Sequence, residues 1–182
     1  ILAFLRKRDI VLRDLGYFKV EVLKEIADKD AYFLSRYLYK TNIYDEKENK
    51  INLLEYLNKY GALDVNLYLG AMIKLPVRIV AIPLPQGVAS ERKRKLRQNR
   101  DKRLKVSKEQ FALLDWNIFM KMMPHSVWNT KIVAIMYGIR WRIETIFKTW
   151  KSHFNLTVMT EGSSHYVETL IYAKLIWITL FQ

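Results

Sequence analysis

The sequence predicts an α/β fold, because short runs typical of strands alternate with longer segments that have the period of a helix. Residues 10–12 form an apolar run that leads through a glycine turn into the helical segment 19–29. The runs 65–69 and 75–82 are rich in β-branched or alternating residues and are bounded by glycine and proline, as strands are. From Thr130 onward the pattern is helical, so strands and helices share one chain.

The first element is predicted to be a short buried strand, residues 10–12, which ends close to Asp14. Gly16 then permits a turn, after which the helix 19–29 and the strand 31–36 follow. An aspartate at the carboxyl end of a strand stands where open α/β sheets place their sites. The alternative is that Asp14 caps the following helix, which is a common role for aspartate in this position.

The middle of the chain, residues 37–112, is predicted to be β-rich, with the two strands already named, a polar hairpin tip at 44–50 and a basic helix. From Glu91 to Lys108 the chain holds ten lysines or arginines and two carboxylates, a net charge of +8 out of +13 for all 182 residues. The tract opens with four consecutive basic residues: Arg92, Lys93, Arg94 and Lys95. Such a tract indicates a polyanionic partner, with a merely solvated face, a membrane surface or RNA as the alternatives.

Residues 116–122 are predicted to form a strand that Pro124 ends, and a long helix opens at Thr130. The apolar part of a final helix, 165–181, is too short for a membrane span and contains Lys174, so no membrane partner is expected. Cysteine is absent, which excludes disulfides and thiolate metal sites.

Four polar residues of the long helix fall on one narrow stripe: Tyr137, Arg140, Glu144 and Lys151. At about 100° per residue they lie within an arc of roughly 60°. Glu144 can offer oxygen to a metal ion, while the phenol and the two cations can hold phosphate oxygens. The alternative is an ordinary surface ion pair of Glu144 with Arg140 or Lys148. A separate apolar arc is expected to pack on a core: Ile135, Ile139, Ile143, Ile146 and Trp150.

The pattern Y-x2-R-x3-E-x6-K formed by the stripe resembles the YREK signature of bacterial DDE transposases of the insertion-sequence-four family. A second motif, Asp14-Leu15-Gly16-Tyr17, is similar to the D-x-G-[YF] context of that family's second catalytic aspartate. The resemblance implies that Asp14 and Glu144 are catalytic metal ligands, and that the other three stripe residues position DNA phosphates. It also implies that the α/β fold is a partial ribonuclease-H-like fold with a β-rich insertion and a basic helix.

On this resemblance the chain divides into three parts. Residues 1–36 are expected to be the first fragment of the catalytic core, 37–112 the β-rich insertion with the basic helix, and 113–182 the C-terminal part of the core. The family's first aspartate belongs to a strand upstream of Asp14, so the chain is expected to be a C-terminal part that cleaves DNA negligibly alone. The alternatives are a non-catalytic DNA-binding remnant of an interrupted transposase gene and, third, a structure-specific nuclease.

The resemblance further implies cut-and-paste DNA transposition with Mg²⁺ (or Mn²⁺) as cofactor and double-stranded DNA, both transposon ends and target, as partner. A dimer on DNA and a bacterial cytoplasmic location at the nucleoid are expected for the full-length protein. Trp116 lies twenty-one residues before Tyr137, where some family members keep a tryptophan that stacks on a flipped base. The alternative for Trp116 is an ordinary core tryptophan.

Overall fold

The structure is a computed structural model that describes residues 2–99, 106–153, 155 and 161–180. The chain divides into two compact units, Ile1–Tyr137 and Gly138–Gln182, and each is described by itself. Part of the basic tract lies outside the described residues: Arg100, Lys102, Arg103 and Lys105.

The first unit is built on one mixed sheet, which has seven strands in the part of the chain that the structure describes. The strands are β1 Ile10–Arg13, β2 Tyr32–Arg36, β3 Ile43–Tyr44, β4 Lys50–Ile51, β5 Leu63–Leu69, β6 Leu75–Pro83 and β7 Trp116–Lys121. Their order in the sheet is β1-β2-β7-β6-β5-β3-β4. Strands β1 and β2 are parallel, and every other pair is antiparallel.

Six α-helices accompany the sheet within the described ranges. They are α1 Val20–Asp28, α2 Leu53–Tyr60, α3 Gln86–Asn99, α4 Lys108–Leu113, α5 Thr130–Ser152 and α6 Ser164–Leu180. Two short 3-10 turns, Leu2–Phe4 and Leu15–Tyr17, precede α1. Helix α5 begins in the first unit and continues into the second. Among the described helices, none combines the length and the apolar character that a membrane crossing would require.

Apolar side chains cover both faces of the sheet in the first unit. Phe33 and Leu34 are neighbours in β2, and they belong to the cores on opposite faces because successive strand residues point to opposite sides. The first core also takes residues from α1, α2 and α4, whereas the second is covered by the start of α5. Strand β6 is buried at consecutive positions from Val77 to Ala81, as expected for a strand with both faces covered.

The predicted α/β character and the main strands are confirmed, with three differences in detail. Strand β1 is not buried: among the described strands it is the outermost and pairs with β2 alone, and Ile10 is 40% exposed. Helix α2 was not predicted; Asn52 caps it by accepting hydrogen bonds from the backbone N–H groups of Leu54 and Glu55. Strands β5 and β6, assigned from sequence to an insertion, join the same sheet as β1, β2 and β7. The division into three parts stays a prediction.

Candidate active site

The carboxyl ends of β1 and β2 lie side by side at one edge of the sheet, the edge formed by strand ends and not by the outermost strand. The register pairs Arg13 with Ser35, so Asp14 and Arg36 are the next residues at this edge on the two parallel strands. Asp14 is half-buried, and its side chain makes no hydrogen bond that caps the 3-10 turn Leu15–Tyr17. Helix α1 has its N-cap at Lys19, so Asp14 does not cap the following helix, whereas its position at the carboxyl end of β1 is as predicted.

Strand β7 begins at the same edge, because it runs antiparallel to β2. The N–H of Tyr37 donates a hydrogen bond to the carbonyl of Ile118, 2.9 Å away, just beyond the end of β2. Trp116 opens β7 opposite Pro83, the last residue of β6, and is half-buried. Helix α3 starts at Gln86, so the basic helix also leaves the sheet at this edge.

The four basic residues that open the tract have different surroundings on α3. Arg92 is half-buried and donates a hydrogen bond to the Oδ1 atom of Asn117 at 2.8 Å. Lys93 pairs with Asp115, with Nζ 2.7 Å from Oδ2. The exposed Arg94 and Lys95 both pair with Glu91, at 2.7 and 3.6 Å. Three of the four thus have a carboxylate partner, whereas Arg92 has none within the part of the chain that the structure describes.

The polar stripe of α5 changes from buried to exposed along the helix. Tyr137 is 5% exposed, and its ring lies 5.3 Å from the ring of Phe119 in the second core. Arg140 pairs with Glu144, and their side chains are 14% and 46% exposed. Lys151 is exposed in the last turn. The Arg140–Glu144 ion pair that the spacing allowed is present, and the role of Glu144 as a metal ligand stays a prediction.

The apolar arc of α5 does not pack on a core as predicted. Ile135, Ile143 and Ile146 are 67%, 50% and 38% exposed. Within the first unit, the buried residues of α5 are Val133 and Tyr137, which share one face of the helix because they are four positions apart. The arc is centred roughly 200° around the helix from Tyr137. Because Tyr137 faces the sheet, Ile135, the arc residue of the first unit, lies on the opposite side of the helix and is exposed.

A group of buried and half-buried charged and polar residues, which we call the anchor cluster, holds the start of α5 against the sheet. Its members are Asp64, Arg78, Lys121 and Thr130, which lie on β5, β6, β7 and α5. Arg78 binds the carboxylate of Asp64 through Nε and Nη2, and Thr130 donates a hydrogen bond to the same carboxylate at 2.6 Å. Arg78 and Lys121 both donate to the carbonyl of Trp128, at 3.0 and 2.8 Å.

The anchor cluster was missed in the sequence, although one signal was present. Lys121 stands inside the apolar run Ile118–Met123, where a lysine needs a specific partner to be buried. In the structure Lys121 is fully buried. Burial, and then the charge of Arg78, lower its pKa to about 8. Burial acts to raise the pKa of Asp64, but hydrogen bonds from Arg78 and Thr130 outweigh it and leave that pKa below its ordinary value.

The buried Lys121 predicts a specific dependence of stability on pH. Its pKa is about 8 in the folded chain and 10.5 when unperturbed, so between these values the unfolded chain binds more protons. The free energy of unfolding should therefore rise as pH increases from about 8, and the cost of charging Lys121 is fully present below that pH. We expect Lys121→Met to remove this rise, measured as the difference between the two proteins in urea unfolding at pH 7 to 9.5. Equal slopes against pH would contradict the assignment.

Comparison with known proteins places the chain in a family. The family model for the transposase DDE domain matches residues 1–180. The chain belongs to this family. Among curated relatives of this DDE domain, it is 27% identical to the transposase for insertion sequence element IS231F of Bacillus thuringiensis subsp. israelensis, over 97% of the chain and 41% of that protein. The transposase for insertion sequence element IS1151 of Clostridium perfringens is 23% identical, over 95% of the chain and 41% of that protein.

The chain therefore spans about two fifths of the length of the curated relatives that it matches. The same holds for the transposase for insertion sequence element IS231E of Bacillus thuringiensis subsp. finitimus, to which the chain is 28% identical over 98% of the chain and 42% of that protein. No solved structure matches the chain.

The donor chemistry of the two predicted carboxylates suits a divalent metal ion, since Mg²⁺ and Mn²⁺ prefer carboxylate oxygens. Asp14 lies in the first unit and Glu144 in the second. Throughout residues 2–99, 106–153, 155 and 161–180, no three acidic, histidine or cysteine side chains are grouped as a metal site. The described residues thus provide donors of the right kind without forming a three-ligand group.

Proposed function

We propose that this chain is the part of a cut-and-paste DNA transposase that contains its second and third metal-binding carboxylates. The observation that carries the proposal is the edge of the sheet in the first unit. That edge holds Asp14, Trp116 and the start of the basic helix α3, so a carboxylate, an aromatic ring and cations lie where one DNA strand could meet all of them. The mixed sheet then represents part of a ribonuclease-H-like fold with a β-rich insertion.

In this proposal, Asp14 and Glu144 would each supply carboxylate oxygens to Mg²⁺ or Mn²⁺. The bound metal would supply activation of water or a 3′-hydroxyl and charge stabilisation at the phosphodiester. Arg140 and Lys151 would neutralise phosphate charge, and Arg140 also pairs with Glu144 on the same helix. Tyr137, packed on Phe119, fixes the start of the stripe against the sheet and offers its phenol to a phosphate.

The proposed partner is double-stranded DNA, first at the transposon ends and then at the target. The long-range field of the basic tract would draw any duplex to α3 and would favour no sequence. Trp116, half-buried at the start of β7, is proposed to stack on an unpaired base at the cleaved end. For the longer transposase we propose a dimer on DNA and a place at the bacterial nucleoid.

DNA affinity tests the proposal directly. One variant carries glutamine at four positions of α3: Arg92, Lys93, Arg94 and Lys95. We expect weaker binding to any duplex, and a slope of log K against log salt that flattens by roughly 0.9 for each DNA phosphate that is no longer neutralised. The measurement is fluorescence anisotropy with a labelled duplex at several salt concentrations.

A matched control removes the same charge elsewhere on the first unit. It carries glutamine at four exposed lysines: Lys7, Lys24, Lys47 and Lys59. If both variants change affinity and slope equally, only net charge matters and α3 is not an interface. If neither variant changes the slope, the basic tract is a solvated surface.

A further inference from the structure

Two arginines meet at a small pocket beside the edge that holds Asp14. Arg36 is the last residue of β2, and Arg92 lies in the second turn of α3. Both line a pocket of about 190 Å³, whose wall also includes Leu15, Tyr39 and Trp116. Both arginines are half-buried, so their charges are partly withdrawn from water.

Neither arginine has a carboxylate partner within the described residues. Arg92 donates through Nη2 to Asn117, which is neutral, while its Nη1 is buried without a hydrogen-bond partner in that part of the chain. Burial, and then the nearby charge of Arg36, lower the pKa of Arg92. The two guanidinium groups are therefore close enough to repel each other.

Two neighbouring guanidinium groups of this kind destabilise the fold unless an anion binds between them. Two like charges at a partly desolvated site repel, and a buried N–H donor without an acceptor adds the cost of its missing hydration. An oxyanion with several acceptor oxygens would remove both costs, since it can accept from two guanidinium groups at once. Arg94 and Lys95 do not require a bound anion to balance their charge, because both already pair with Glu91.

We propose that Arg36 and Arg92 jointly bind one phosphate group of a DNA strand next to Trp116. This inference rests on the proposed function and names a phosphate site within it. The walls of the pocket favour a nucleic-acid strand over an isolated anion, because Tyr39 and Trp116 add aromatic surface beside the two cations. Cations that hold the backbone next to rings that hold bases are the usual combination in sites for unpaired strands.

The first experiment tests the anion site without DNA. The melting temperature of the chain is measured in low salt, with and without inorganic phosphate, for the unaltered chain, Arg36→Gln, Arg92→Gln and the control Arg94→Gln. We expect phosphate to raise the melting temperature of the unaltered chain and of the control by about 2–4 °C, and not to raise that of the other two. Without phosphate, Arg36→Gln should melt no lower than the unaltered chain, because one of the two repelling charges is gone.

The second experiment identifies DNA as the source of the phosphate through a double-mutant cycle. Arg36→Gln and Arg92→Gln should each weaken binding of a DNA duplex with a short single-stranded end by about tenfold. Because one phosphate serves both arginines, the double variant should bind about as weakly as either single variant, and all three should flatten the salt slope by roughly 0.9. Arg94→Gln combined with Arg36→Gln should instead show additive effects.

The outcomes separate this inference from the proposed function. Unchanged DNA affinity in Arg36→Gln and Arg92→Gln, with weakened affinity in the four-residue α3 variant, would overturn the phosphate site and leave the function standing. Strict additivity of the two substitutions would overturn the shared phosphate. A phosphate-dependent rise in melting temperature that survives in Arg36→Gln would overturn the site as well. An unaltered chain that binds no DNA would overturn the proposed function, and DNA would then be rejected as the occupant.

Discussion

Replacement of Glu144 by glutamine is expected to abolish metal-dependent DNA cleavage by a full-length transposase that contains this chain. A neutral amide is a poor ligand for Mg²⁺, and several kcal/mol of transition-state stabilisation would be lost. Because each 1.36 kcal/mol is about tenfold in rate, cleavage of transposon ends should slow by roughly 10³-fold or more. Glu144 is 46% exposed and pairs on the helix surface with Arg140, so its replacement should change stability by less than about 1 kcal/mol. Cleavage rate, DNA affinity and melting temperature are measured together.

The neighbouring residue supplies a control for this experiment. Ile143 is 50% exposed, so Ile143→Ala removes apolar surface without opening a buried cavity. We expect it to cost below about 1 kcal/mol, well under the ~2–5 kcal/mol of a buried isoleucine, and to leave cleavage near the parent rate. If Glu144→Gln cleaved as fast as Ile143→Ala, Glu144 would be a surface ion-pair residue and the four-residue stripe would have no catalytic part.

The elements that the sequence predicted well are those whose signal is local. Glycine and proline bound β5 and β6, and the break at Pro124 separates β7 from the helix that opens at Thr130. The position of Asp14 was also predictable, since it depends only on a short run, one turn and the following helix. Each of these signals lies among residues that are neighbours in the sequence, so no knowledge of tertiary pairing was needed.

The features that the sequence did not predict depend on which strands are neighbours. The burial of β1 failed as a prediction because its apolar run carries no information about whether one or two strands flank it. The face of α5 that packs on the second core carries Val133 and Tyr137, although the arc of isoleucines on another face is more apolar. The pocket of Arg36 and Arg92 joins residues 56 positions apart, and no spacing rule links them.

The anchor cluster is the clearest case of such a non-local arrangement, and its Asp64→Asn variant should lower stability strongly. Asp64 is the acidic partner of Arg78, which is 6% exposed, and Lys121 is fully buried next to them. Without the carboxylate, two cations would share one carbonyl, that of Trp128, with no negative charge beside them. Breaking a buried pair in this way costs ~3–5 kcal/mol, and the 23% exposure of the Asp64 side chain favours the lower end.

The exposed aspartate of a helical pair provides the comparison. Asp28 bonds to Lys24 on α1, and their side chains are 58% and 46% exposed, so Asp28→Asn should cost about 0.5 kcal/mol or less. Adding Lys121→Met to Asp64→Asn should restore part of the lost free energy of unfolding, because it removes one of the two cations, Arg78 and Lys121, that no longer have a carboxylate beside them. Free energies of unfolding in urea at pH 7 decide between the alternatives. An Asp64→Asn variant that is destabilised no more than Asp28→Asn would show that the carboxylate of Asp64 contributes little to holding the start of α5.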